Sequence, residues 1–212
     1  MREIKTFYVN SLRECLYVMS AENGECVIVD PGCETDRERA RVDGYIAEEG
    51  LRPVCILLTH VHFDHVLSLG WFASKYGIPA VMGAADTGLI GKLQQYTRLF
   101  DLPYIPIDGV SFIYVNGGEE VSRAGFTFKV IATPGHTEGG MCYLEEKERI
   151  LFSGDTLFEG SIGRTDFEEG NEDDMYDSLE KLKRLDGDIT VYPGHGYPTT
   201  IAAELSTNPY LR

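Results

Sequence analysis

The chain has 212 residues, enough for one sizeable core, and 43% hydrophobic, 25% charged and 11% aromatic side chains, as an ordinary globular protein does. Its net charge of −15 argues against a duplex nucleic acid partner, because phosphate binding needs clustered Lys and Arg. No apolar run approaches the roughly 20 residues of a membrane span.

MREIKTFYVNSLREC at the start lacks the apolar core and cleavage site of a signal peptide, so a cytoplasmic location is expected. Strands are expected at IKTFYV, CLYVMSA and CVIVD, with a turn at Glu22-Asn23-Gly24-Glu25. Residues 35–49 should be helical, with Thr35 as N-cap and Gly50 just past the end. VCILLT (54–59) is an apolar run of strand length, followed by a helical LSLGWFASKYG, a strand IPAVMG and a helix over roughly 86–100. Residues 110–153 revert to β, as VSFIYV, EEVSRAG, FTFKVIAT, GMCYLEE and RILFSG. Residues 172–185 form a helix with acids in the first turn and Lys181, Lys183 and Arg184 in the last, which suits the helix dipole. A strand ITVYPGHG and a final helix TIAAELS complete the chain. Buried strands alternating with amphipathic helices indicate an α/β layering with strands inside. The two halves share a strand-block-then-helix plan without clear sequence self-similarity.

Five cysteines, with no CxxC pair, lie largely within apolar segments and are expected to be buried free thiols. Among Tyr96, Phe100, Tyr104, Phe112 and Tyr114, some should line a pocket or an interface, with Phe112 and Tyr114 filling core.

Strand ends carry the chemistry. CVIVD stops at Asp30, VCILLT runs into His60, FKVIAT into Pro134-Gly135-His136, RILFSG into Asp155, and ITVYPG into His195. Loops at strand ends are where ligands gather in layered α/β proteins. In THVHFDH (59–65), an extended backbone projects His60 and His62 to one side, while Asp64 and His65 fall where the chain turns into a helix. The loop can therefore offer His60 and His62 to one metal and Asp64 and His65 to a second. His136 completes the first set, His195 the second, and Asp155 can bridge both. Imidazole and carboxylate without thiolate suit zinc, with iron or manganese as alternatives, and positions left open to water mark a catalytic site.

HVHFDH (60–65), GHT (135–137), GDTLF (154–158) and PGHG (193–196) resemble, in order and spacing, the motif set of the metallo-β-lactamase superfamily across nearly the whole chain. The resemblance implies a four-layer αββα sandwich, one hydrolase domain over 1–212, and a dinuclear site at the rim between two sheets. Asp30 would support the ligand loop from behind; a plain strand-ending Asp is the alternative. The zinc β-lactamases commonly carry Cys at the position of Asp155, so antibiotic hydrolysis is disfavoured. GDTLFEGSIGRTDF (154–167) looks most like glyoxalase II and its short relatives. That likeness implies a small-molecule thioester substrate. On the paired-metal ligand set, Asp64 would hold the second ion and could take a proton when that site is empty. Arg164 matches a position that contacts the glutathione carboxylate in the longer enzymes; alternatively it pairs with Asp166 or Glu168. A lactonase is the neighbouring possibility. A mononuclear-iron persulfide dioxygenase would need no role for His62, Asp64 or His195.

Overall fold

Every residue of Glu14–Ser20 is buried, which a strand achieves only with layers on both faces. The computed structural model describes residues 3–99, 101–102 and 104–212, so Phe100 lies outside the described residues. In chain order the first half runs β1 (Glu3–Val9), β2 (Glu14–Ser20), β3 (Glu25–Val29), α1 (Asp36–Glu48), β4 (Arg52–Leu57), α2 (Phe63–Val66), α3 (Leu69–Tyr76), β5 (Ala80–Gly83), α4 (Thr87–Leu99) and β6 (Phe112–Val115). The second half runs β7 (Glu120–Arg123), β8 (Phe126–Ala132), β9 (Met141–Glu145), β10 (Ile150–Gly154), β11 (Leu157–Phe158), β12 (Ser161–Ile162), α5 (Glu172–Leu182), β13 (Thr190–Pro193), β14 (Thr199–Thr200) and α6 (Ile201–Thr207).

The strands make two six-stranded sheets, ordered β1-β2-β3-β4-β5-β6 and β14-β13-β10-β9-β8-β7. Side chains alternate along β2. Cys15, Tyr17 and Met19 enter the core between the sheets, where Phe126, Phe128, Tyr143 and Phe152 meet them. Leu16 and Val18 turn the other way, into a core shared with Val42 and Ile46 of α1 and Phe72 of α3. The outer face of the second sheet packs Leu144, Leu151 and Val191 against Met175, Leu179 and Leu182 of α5 and Ile201 of α6. Three apolar cores separate four layers, an αββα sandwich. No helix among the described residues is long and apolar enough to cross a membrane.

Local signals act where expected. Thr35 caps α1 in a reciprocal capping box with Glu38, and Asn171 caps α5 by accepting from the Asp174 amide. α5 stops at Leu182, short of 185, and its last turn holds Lys181 as the one basic residue. Phe112 packs partly into the helix-side core, but Tyr114 is 49% exposed. It does not fill core because β6 is the outermost strand of its sheet. The hairpin β11–β12 and the strand β14 are too short to leave a periodic signature.

All five cysteines are free and buried. Burial pushes the thiols of Cys15, Cys26 and Cys55 up to about 12 and that of Cys142 to about 11. Iodoacetamide at pH 8 should therefore label none in the folded protein and all five after denaturation, as counted by mass spectrometry. Phe152, fully buried between the sheets with Tyr17 at a centroid distance of 5.4 Å, should lose about 3–5 kcal/mol of stability on Phe152→Ala, read from urea unfolding.

Candidate metal centre

The carboxyl ends of β3, β4, β8, β10 and β13 meet at one rim of the two sheets. Asp30, just past β3, is 2% exposed and takes a left-handed φ of 48°. One of its carboxylate oxygens accepts from the Thr59 amide at 2.8 Å. The other accepts from the Thr59 hydroxyl at 2.6 Å and from His65 Nδ1 at 3.1 Å. After β4 the chain bends at Thr59, and His62, in an extended conformation, is the N-cap of α2. Asp64 and His65 therefore occupy the first helical turn, while His60 and His62 precede it.

The second sheet closes the other side. The Met141 amide bonds the Thr59 carbonyl at 2.8 Å, and the Tyr143 hydroxyl bonds that of Leu58 at 2.9 Å. The Pro134–Gly140 turn is fixed by Asp86, whose buried carboxylate accepts from the Gly139 amide at 2.6 Å, the Thr137 hydroxyl at 3.0 Å and the Val61 amide at 3.3 Å. The turn bearing His195 is held from β2: the Cys15 amide bonds the Gly194 carbonyl at 2.8 Å, and the Tyr17 hydroxyl bonds that of Pro193 at 2.6 Å. A Cβ at Gly194 would overlap Asp155 Oδ1 and His65 Cε1, so only glycine lets that turn approach.

Each of four imidazoles is anchored through its far nitrogen, which settles the near one. His136 Nδ1 lies 2.7 Å from the Arg164 carbonyl and must donate. His62 Nε2 donates to the Glu169 carboxylate at 2.9 Å. His65 Nδ1 donates to Asp30. His60 Nδ1 donates to Thr59 Oγ1 at 3.2 Å, since that hydroxyl spends its own proton on Asp30. The lone pairs that remain, on His60 Nε2, His62 Nδ1 and His136 Nε2, face one another, with His62 and His136 only 2.8 Å apart. Asp64, His65 and His195 form a second group, with His195 Nε2 3.3 Å and His65 Nε2 3.7 Å from Asp64 Oδ2. Asp155 lies between the groups. Its Oδ2 is 3.4 Å from His136 Nε2 and 3.6 Å from His195 Nε2, and its Oδ1 is 3.4 Å from His65 Nε2.

This donor set fits divalent cations. His60 Nε2, His65 Nε2 and Asp155 Oδ1 are buried with no hydrogen-bond partner, and buried polar atoms are otherwise rarely left so. The electrostatics agree. Burial keeps His60 neutral, well below its usual range, and His65 and His62 add to the effect. Burial opposes charge on Asp155, but His65, His136 and His60 together outweigh it and hold the carboxyl well below its usual range. Burial likewise opposes charge on His65, yet Asp64 and Asp155 keep a proton there. A cation would supply that positive charge instead and release the proton.

The structure brings His60, His62, Asp64, His65, His136, Asp155 and His195 to one rim, with Asp30 directly behind them. Arg164 is different. It is 67% exposed in its side chain and forms a two-pronged pair with Asp166, at 2.9 Å for each bond. Its guanidinium lies 4.5 Å from the Phe167 ring centre. Three acids escape sequence reasoning: Asp86, Glu169 and Glu14. Glu14 is fully buried on β2, and its carboxyl approaches His65 Nδ1 at 4.0 Å. Burial raises its pKa well above the usual range. An acid inside the apolar ECLYV run is the only local sign of it.

Two half-sites of nitrogen and carboxylate, joined by one aspartate at the rim of an αββα sandwich, define a metal-dependent hydrolase by class. The chain belongs to the Metallo-beta-lactamase superfamily, whose family model matches residues 15–195. It is 35% identical over 187 residues to the hydroxyacylglutathione hydrolase GloC of Haemophilus influenzae, covering 87% of this chain and 86% of that one. Among solved structures it resembles the BLEG-1 B3 metallo-beta-lactamase, with a TM-score of 0.89, 33% identity and 99% of both chains covered. It also resembles TTHA1623 in a di-iron-bound form, with a TM-score of 0.86, 31% identity, and 98% of this chain and 100% of that one covered.

Asp30→Ala should leave the Thr59 amide and His65 Nδ1 without an acceptor, at about 1–3 kcal/mol for each buried donor. Urea unfolding of the ion-free protein checks this, and an unchanged midpoint would show that Asp30 does not hold the loop.

Proposed function

We propose that this protein, as one hydrolase domain over 1–212, is a two-metal thioester hydrolase of glyoxalase II type acting on small molecules. The observation that carries the two-metal reading is the pair of half-sites, His60–His62–His136 and Asp64–His65–His195, with Asp155 within 3.6 Å of a nitrogen in each. Divalent ions held there would polarise an ester or thioester carbonyl and lower the pKa of a coordinated water to about 7. Zinc is the expected metal, and iron is supported by the likeness to a protein solved in di-iron form; manganese is the third candidate.

The chain's own residues supply the rest. His60, His62 and His136 would hold the first ion as neutral donors. Asp64, His65 and His195 would hold the second, and Asp155 is placed to serve both. Burial works against ionisation of Asp64, but His65 and His195 outweigh it and keep the carboxylate charged at neutral pH. Asp64 could take a proton from water at the centre when the second site is empty. The Phe167 ring, 5.4 Å from that of His62 and 5.8 Å from that of His136, covers the first half. That ring limits water there and offers an apolar surface to an acyl group.

Thioester specificity is supported by the likeness to a hydroxyacylglutathione hydrolase and by the run GDTLFEGSIGRTDF. Asp155, where zinc β-lactamases commonly carry Cys, weighs against lactam hydrolysis; a lactone is the nearer alternative substrate.

Removal of metal by a chelator should abolish hydrolysis, with recovery on adding Zn2+, Fe2+ or Mn2+. Asp64→Asn and His62→Ala should each lower turnover by about 100-fold or more with the fold retained by circular dichroism. A panel of glutathione thioesters, coenzyme A thioesters, lactones and a chromogenic β-lactam assigns the substrate class. Wild-type turnover by either variant would overturn the two-metal reading, and hydrolysis of lactones alone would overturn the thioester reading.

A further inference from the structure

The four anchors behind the imidazoles are not equivalent. Asp30 and Thr59, behind His65 and His60, are buried in the first sheet's rim. The other two anchors, the Arg164 carbonyl behind His136 and the Glu169 carboxylate behind His62, belong to one surface loop, residues 163–170. Both serve the first half-site. The loop is secured at each end. A Cβ at Gly163 would overlap the Asp155 carbonyl oxygen, and the Asn171 amide bonds the Gly135 carbonyl at 2.8 Å. Between these points, Arg164, Asp166 and Glu168 face solvent.

Glu169 points inward from this loop. Its side chain is 12% exposed; one oxygen meets His62 Nε2, and the other accepts from the Tyr96 hydroxyl of α4 at 3.4 Å. Lys92 of α4 pairs with the neighbouring Glu168 at 3.3 Å. An ionised carboxylate on the far nitrogen of a histidine fixes the tautomer, orients the ring and makes the near nitrogen a stronger donor. His62 is the only one of the four with an anchor that is both charged and carried by an exposed loop.

We propose that Glu169 is a positioning residue that fixes His62 with Nδ1 toward the first ion, so that affinity of the first half-site and seating of the 163–170 loop are coupled. Because coupling is reciprocal, an ion in the first half steadies the loop to the degree that the loop strengthens the ion's binding. The inference rests on the two-metal reading above and is independent of the substrate.

The test reads ion binding alone. In a His195→Ala background, which removes a donor from the second half, Zn2+ affinity is measured by competition with a chelator of known strength. Glu169→Ala should weaken the first site by about 10–100-fold, with Glu169→Gln, which keeps an acceptor but not the charge, falling between. Absorption of the Co2+-loaded protein should shift with these variants, a change that loss of stability alone would not produce. Trypsin cleavage after Arg164 should be slowed by Zn2+ more when Glu169 is present than in Glu169→Ala, where the Arg164 carbonyl on His136 is the remaining anchor. If Glu169→Ala fails to fold, Glu169→Gln alone decides. Unchanged Zn2+ affinity, or cleavage insensitive to Zn2+ in the parent, would overturn the coupling, while thioester hydrolysis could still stand.

Discussion

The site depends on one buried carboxylate. Asp30 accepts three hydrogen bonds, two from Thr59 and one from His65, and through the Thr59 hydroxyl it also determines which nitrogen of His60 carries a proton. A single anion thus orients one imidazole in each half. Its left-handed backbone, uncommon for a residue with a Cβ, is held because the surrounding bonds define its place. Without it, the stretch from Thr59 to His62 would keep its main-chain contact to the second sheet but lose the setting of its rings.

Bringing five imidazoles and the carboxylates of Asp30, Asp64 and Asp155 together away from water is costly unless charges are matched. The arrangement meets that requirement by sorting them. Burial holds His60 and His136 neutral in the first half, and Asp30, Asp64 and Asp155 collect around His65. The sheets supply the rigidity this sorting needs, since the bonds from Tyr143, Met141, Cys15 and Tyr17 cross from one sheet to the other at the rim. These four residues belong to or border the core between the sheets, so the packing that stabilises the sandwich also sets the distances in the cluster.

Much of this was legible in the sequence. Strand-end placement of His60, His136, Asp155 and His195 follows from apolar runs that stop at turn residues, and HVHFDH declares its own geometry through the switch from extended to helical backbone. What was not legible had no periodic or motif signature. Glu14 resembles any other acid at a strand start until the opposing Gly32 turn closes over it. Asp86 and Glu169 gain their roles from partners at sequence separations of 53 and 107 residues, which no local pattern encodes. Tyr114 was misplaced because alternation identifies a face but not whether the covering layer extends to the sheet edge.

The Arg164–Asp166 pair has a bearing on selectivity. With its guanidinium already engaged by a neighbouring carboxylate and resting on the Phe167 ring, Arg164 would meet an anionic group only by exchanging one counterion for another. Exposed ion pairs contribute on the order of 1 kcal/mol or less, so such an exchange discriminates little between substrates with and without a terminal acid. On the proposed thioester reading, preference would then be decided by the acyl portion lying against the aromatic ring, and tolerance of varied thiol carriers would be the corollary.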